Sequence, residues 1–189
     1  MEMPDYSYPP DPKRNDPEWK EITERCKPFI KKFLAKATEL FGPPTNAVPV
    51  VRVTEFSEGP RTCFHGGIPY VRIQHGVSKN PNERELKAQL AHETVHVFLR
   101  TVRNTVLEEG LCTYFAVNYV DAHPPHADDP NERKYYQAYE AVTKLMEKDP
   151  DVIEKLRKPA RTFDKISAAE IRELCPDYPS DFDYLVSDY

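Results

Sequence analysis

Between Asn82 and Arg103 the chain carries a helical pattern whose apolar residues surround most of the helix. At 100° per residue, Gln89, His92, Glu93, His96, Arg100 and Arg103 share one arc of about 100°. Leu90, Ala91, Val95, Val97, Phe98 and Val102 occupy the rest of the circumference. A helix of this kind belongs in an interior, with other elements packed around it and its one polar stripe lining a groove. A merely solvated stripe is usually rich in Lys and Glu, whereas the middle of this one holds two histidines and a glutamate.

The flanking sequence supplies the enclosing elements. Asp16-Pro17 reads as a helix start. Ile22, Cys26, Phe29, Phe33, Ala37 and Leu40 then recur at helical spacing up to a stop at Gly42-Pro43-Pro44, with Pro28 expected to kink or break the helix. Residues 48–56 are β-branched and alternating, which predicts a strand. The runs TCFH and IPYVRI on either side of Gly66-Gly67 predict a hairpin. After the central helix, Thr105 opens another that reaches about Asp121, and Thr105-Val106-Leu107-Glu108 matches the capping box. A further helix is expected over 131–148, with short ones at 151–157 and 167–174. Residues 1–15 are proline-rich and aperiodic, a flexible tail. The expectation is therefore one α+β domain over 16–189. An N-terminal helix and a small sheet of about three strands occupy 16–104, and a helical half occupies 105–189.

The formal net charge is −5 and no basic stripe interrupts it, which argues against a nucleic-acid partner. No apolar run is long enough to cross a bilayer, and the N-terminus lacks the apolar core of a signal peptide. A cytoplasmic protein is expected, or one exported by a route that the sequence does not display. Cys26, Cys63, Cys112 and Cys175 lie far apart with no CxxC pair, so they read as buried free thiols.

His92-Glu93-Thr94-Val95-His96 is an HExxH motif. Residues four apart sit one turn apart on one helix face, so the two imidazoles can hold one metal ion while Glu93 reaches its water. With six histidines in the chain, chance alone gives such a motif on the order of a few per cent of the time. Catalytic zinc takes three protein ligands and leaves a fourth position open. The short turn after the helix brings Leu107-Glu108-Glu109-Gly110-Leu111 back beside it. Glu108 fits the capping box, which leaves Glu109 as the third ligand and Glu108 as the alternative. Glu109 also has a plainer reading, as a carboxylate favoured at a helix start by the macrodipole.

HETVH followed by an EGL helix start resembles the gluzincin branch of the zincin metallopeptidases, and the length is similar to that of the small single-domain minigluzincins. The resemblance covers residues 60–122. It implies a zincin-like fold and one Zn2+ held by His92, His96 and Glu109. It implies Glu93 as general base in peptide-bond hydrolysis, with a peptide or protein as substrate. TCFHGGIPYVRI resembles the family's edge strand and return strand, so Cys63, Phe64 and His65 would lie along an extended substrate. A metzincin would need Gly at 99 and His at 102, where this chain has Leu99 and Val102. A deformylase carries its cysteine ligand upstream of the helix, whereas EGLC lies downstream. The family's oxyanion donor is a Tyr or His, for which Tyr114, Tyr135, Tyr136, Tyr139, Tyr178 and Tyr184 are the candidates here. From a different class, the same fold with little or no hydrolysis would serve as a protein-binding module; the intact Glu93 argues for the enzyme. Residues 1–15 and the acidic C-terminus are candidates to cover the cleft.

Overall fold

What encloses the central helix is visible in a computed structural model, which describes residues 17–44, 51–57, 59–65, 68–79, 83–101, 104–158, 163–178 and 182–189. The described residues form an α+β fold of seven α-helices and one mixed three-stranded sheet. The long helix α1 (Pro17–Phe41) is followed by β1 (Arg52–Phe56), β2 (Arg61–His65) and β3 (Ile68–Gln74). Then come the central helix α2 (Glu83–Leu99), α3 (Val106–Val120), α4 (Arg133–Lys148), α5 (Val152–Arg157), α6 (Ala168–Leu174) and α7 (Phe182–Leu185). Residues 1–15 and most of the expected extension of the first strand, 48–50, lie outside the described residues.

The strand order is β1-β3-β2, with β1 parallel and β2 antiparallel to the central β3. Strand alternation turns Val53, Val71 and Ile73 into the core, where α1 and α2 cover them. Tyr70 and Arg72 point to the opposite face, where the Arg52 guanidinium donates to the Tyr70 hydroxyl at 2.8 Å and Arg72 lies over the Phe56 ring. β2 pairs with β3 from Arg61↔Arg72 to His65↔Ile68, the antiparallel register expected of a hairpin.

Helix α1 runs through Pro28 without a break. The pyrrolidine sits on the exposed face, where the carbonyl it leaves without an amide partner is not sealed in the core. Thr23 ties α1 to the sheet: its hydroxyl accepts from the Val53 amide at 3.0 Å and donates to the Val53 carbonyl at 3.3 Å.

Helix α2 is buried from Glu93 through Leu99 and packs against α1, α3, β2 and β3, as its apolar circumference demands. It stops at Leu99, four residues earlier than the sequence pattern suggests. Arg100 adopts φ +50°, the left-handed conformation that ends helices, and its amide still donates to the His96 carbonyl at 2.9 Å. Periodicity continued past this point because a single left-handed residue leaves no mark in the apolar pattern. Helix α3 begins where expected, with Thr105 as N-cap accepting from the Glu108 amide at 3.2 Å. Its Gly110 lies where α4 crosses: a β-carbon there would overlap the Ala138 carbonyl and come within 2.6 Å of Val142 Cγ2. The C-terminal segment returns to the same place, with Val106 N–H donating to Ser187 O at 3.1 Å and Tyr189 N–H to Asn104 O at 3.0 Å. No helix among the described residues is long and apolar enough to cross a membrane.

Candidate metal centre

One turn of α2 separates His92 from His96, and their Nε2 atoms lie 3.3 Å apart. The turn between α2 and α3 folds Glu109 over this pair. Its Oε2 is 3.3 Å from His92 Nε2 and its Oε1 is 3.4 Å from His96 Nε2. His92, His96 and Glu109 thus form a triangle of donor groups, in which the two oxygens of one carboxylate each face a different imidazole nitrogen at 3.3 and 3.4 Å. Zinc bound tetrahedrally at about 2.0–2.1 Å spreads its ligand atoms about 3.3–3.4 Å apart. The two imidazole nitrogens therefore stand at the spacing of two zinc ligands, and two imidazoles with one carboxylate are a donor set that suits the ion.

The residues behind the triangle fix its orientation. His96 Nδ1 donates to Glu108 Oε1 at 2.8 Å, which turns Nε2 of the same ring toward Glu109. The Glu108 carboxylate, 1% exposed, also accepts from the Thr101 hydroxyl. Only half of the expected capping box is present, because the Thr105 hydroxyl accepts from the Glu108 amide while the Glu108 carboxylate serves His96 and Thr101 instead of the Thr105 amide. A histidine nitrogen in a buried site is the stronger claimant for that charge. A complete box does occur at Ser167 and Glu170, at the head of α6. Asn104 Nδ2 donates to Glu109 Oε1 at 3.0 Å, so the side chain at 109 is also held from outside the triangle. Burial opposes ionisation of Glu109, yet the hydrogen bond to His92, the two imidazoles and Asn104 outweigh it and keep the carboxyl below its usual range.

Glu93 occupies a different setting. It is 3% exposed, and its Oε2 is buried without a hydrogen-bond partner. Burial pushes its carboxyl above the usual range, partly offset by His96 and His92. A buried polar atom left unpaired costs about 1–3 kcal/mol, and such groups cluster at functional sites.

His96 is surrounded by three acidic groups. Burial alone would lower its imidazole, but the Cys112 thiol with Glu108 and Glu109 holds it well above the ordinary histidine range. Cys112 is fully buried one turn after Glu109, and its sulfur lies within 4.8 Å of the ligand-bearing atoms of His92 and His96. Its thiol is pushed up by burial to about 12. Spacing alone marks this residue as a buried free thiol; the signal that sets it apart is its i+3 position from Glu109.

Of the six tyrosines weighed as oxyanion donors, Tyr135 is the one set against the centre. Its ring centroid is 6.3 Å from that of His92, and it is 40% exposed. Burial, then Glu109 and Glu93, raise its phenol. Tyr178 is committed elsewhere, donating to the Ala141 carbonyl in the core, while Tyr114 stacks against Tyr119. Tyr189, which sequence reading did not single out, packs its ring 5.3 Å from that of Tyr135.

The edge strand runs alongside. Thr62 donates from its hydroxyl to the Glu93 carbonyl at 3.0 Å, fixing β2 against the motif helix. Phe64 stands beside the Arg100 guanidinium, at 5.8 Å. Cys63 is buried, with its sulfur 3.8 Å from the Tyr70 carbonyl, so its side chain packs against the sheet and only its backbone is available to a ligand. His65 ends β2 opposite Ile68. All four cysteines are free and buried. No protein-family model matches the chain, and neither a curated protein nor a solved structure does.

Proposed function

We propose that this protein is a zinc-dependent peptidase of gluzincin type, with His92, His96 and Glu109 as the ligands and Glu93 as the acid/base. The observation that carries the reading is the pair of imidazole nitrogens 3.3 Å apart, each faced by one oxygen of Glu109 at 3.3–3.4 Å, beside a buried, unpartnered carboxylate oxygen. Zinc, when bound, supplies a Lewis acid for a carbonyl oxygen and acidifies water.

The chain's own residues do the rest. Glu93, with its raised affinity for protons, takes one from the attacking water and returns it to the departing amine. Tyr135 donates its O–H to the oxygen on which negative charge develops. The open edge of β2 receives an extended peptide by backbone pairing, so the substrate runs beside the Glu93 end of α2. Glu108 holds the tautomer of His96 throughout.

The test is elemental analysis of protein purified without added zinc, together with hydrolysis of a peptide library, on wild type, Glu109→Ala and Glu93→Gln. The expected result is near-stoichiometric zinc in wild type and Glu93→Gln, clear loss in Glu109→Ala, and hydrolysis by wild type alone. Zinc without hydrolysis in wild type would favour a binding module, and absence of zinc after reconstitution would end the metal reading.

A further inference from the structure

The geometry points to a second, closed ligand set at this centre, in which Cys112 joins His92, His96 and Glu109 around a thiophilic divalent ion. The inference rests on the metal reading above and extends it to a residue that reading leaves unused.

Cys112 is three residues after Glu109 on α3, so both side chains leave the helix on the face turned toward α2. The donor atoms of His92, His96 and Cys112 all lie within 4.8 Å of one another. Tetrahedral zinc, with bonds of about 2.0 Å to nitrogen and about 2.3 Å to sulfur, needs a nitrogen–sulfur spacing of about 3.6 Å. A small approach of the thiol closes that gap, and a larger ion needs less of it. Cys112 belongs to the hydrophobic core, yet its surroundings are not apolar alone. His96, Glu108 and Glu109 are its electrostatic neighbours, where a packed thiol ordinarily meets apolar groups.

Cys112 is fully buried, while His92 is half-buried and Tyr135 exposed. The sulfur is therefore the most deeply enclosed of these groups, while His92 and Tyr135 are the ones that solvent reaches. On binding, the thiol proton passes to solvent and the thiolate takes a fourth position. Three ligands of hard or intermediate character leave the site open, and the fourth, soft ligand closes it. Soft ions favour thiolate, so metal identity selects between the two sets.

The probe is Cd2+, added to metal-free full-length protein and read by the near-ultraviolet thiolate-to-cadmium charge-transfer band. Wild type is expected to bind one Cd2+ with the band. Cys112→Ser should lose the band and bind Cd2+ at least about tenfold more weakly, while Cys63→Ser should keep both. Should Cys112→Ser fail to fold, 113Cd NMR of wild type gives the same answer through scalar coupling to the Cys112 β-protons. Stoichiometric Cd2+ without the band or the coupling, or a band that survives in Cys112→Ser, overturns the inference. In that event one zinc per chain, lost in Glu109→Ala, leaves the peptidase reading standing; binding of neither ion removes both.

Discussion

Glu108 and His96 meet through a 2.8 Å hydrogen bond in a region where neither is more than a tenth exposed. The neighbouring Glu109 reaches the other nitrogen of the same ring. Consecutive residues of one helix thus address the two sides of one imidazole, one as outer support and one in the donor triangle. Glu108→Gln keeps a hydrogen-bonding group but removes the charge, and should weaken zinc binding by about 10–100-fold with the fold intact. Glu108→Ala leaves His96 and Thr101 without their partner and should lower stability by about 1–3 kcal/mol as well. Chelator competition and thermal unfolding measure the two effects; unchanged affinity in Glu108→Gln would show that the contact does not tune the metal.

Metal binding should strengthen as pH rises. Against the pull of burial, Cys112, Glu108 and Glu109 hold the metal-free His96 well above the ordinary histidine value, so an ion must displace a proton to gain Nε2. Affinity should climb about tenfold per pH unit until that raised value is passed, then level off for this group. Stability of the metal-free protein carries the opposite sign. The contribution of His96 is full below the unfolded histidine value of about 6.5 and is lost as pH rises through the folded one. Zinc competition and metal-free unfolding, each measured at about pH 6 and about pH 8, should therefore move in opposite directions.

Gly110→Ala should be far more damaging than its size suggests. The added methyl group overlaps the Ala138 backbone and Val142, neither of which can swing aside as a flexible side chain would. Separation of α3 from α4 should cost about 2–4 kcal/mol, more than ordinary overpacking. Because α4 also carries Tyr135, peptide turnover should fall further than zinc content. A variant as stable as wild type would show that the two helices part freely.

Tyr135→Phe tests the oxyanion assignment. The variant should keep zinc and KM while kcat falls by about 10²–10³-fold. Equal loss in Tyr189→Phe would instead place the essential hydroxyl on the residue stacked against it.

Much of this arrangement is legible in the sequence because it follows from periodicity. The burial of α2, the start of α3 at Thr105 and the antiparallel pairing of β2 with β3 all follow from local pattern. So does the proximity of Glu109 to the histidine pair. What escaped depends on competition between partners that sequence alone does not rank. Glu108 had two uses open to it, the Thr105 amide and a histidine nitrogen, and only the fold brings the second within reach. Cys112 and Tyr135 join the centre through tertiary packing of α3 and α4 against α2, with no motif to announce them. The end of α2 at Leu99 rests on one left-handed backbone angle at Arg100.

The connection from 100 to 105 supplies the Thr101 hydroxyl to Glu108 and the Asn104 amide to Glu109. Surface turns are where chains ordinarily accept insertions and drift in length. This one is a measured spacer, since one added residue would displace both contacts while leaving HExxH and the EG pair intact in the sequence. On the proposed reading, a chain that kept the motif but lengthened this turn would carry the same residues without the contacts that orient Glu108 and Glu109.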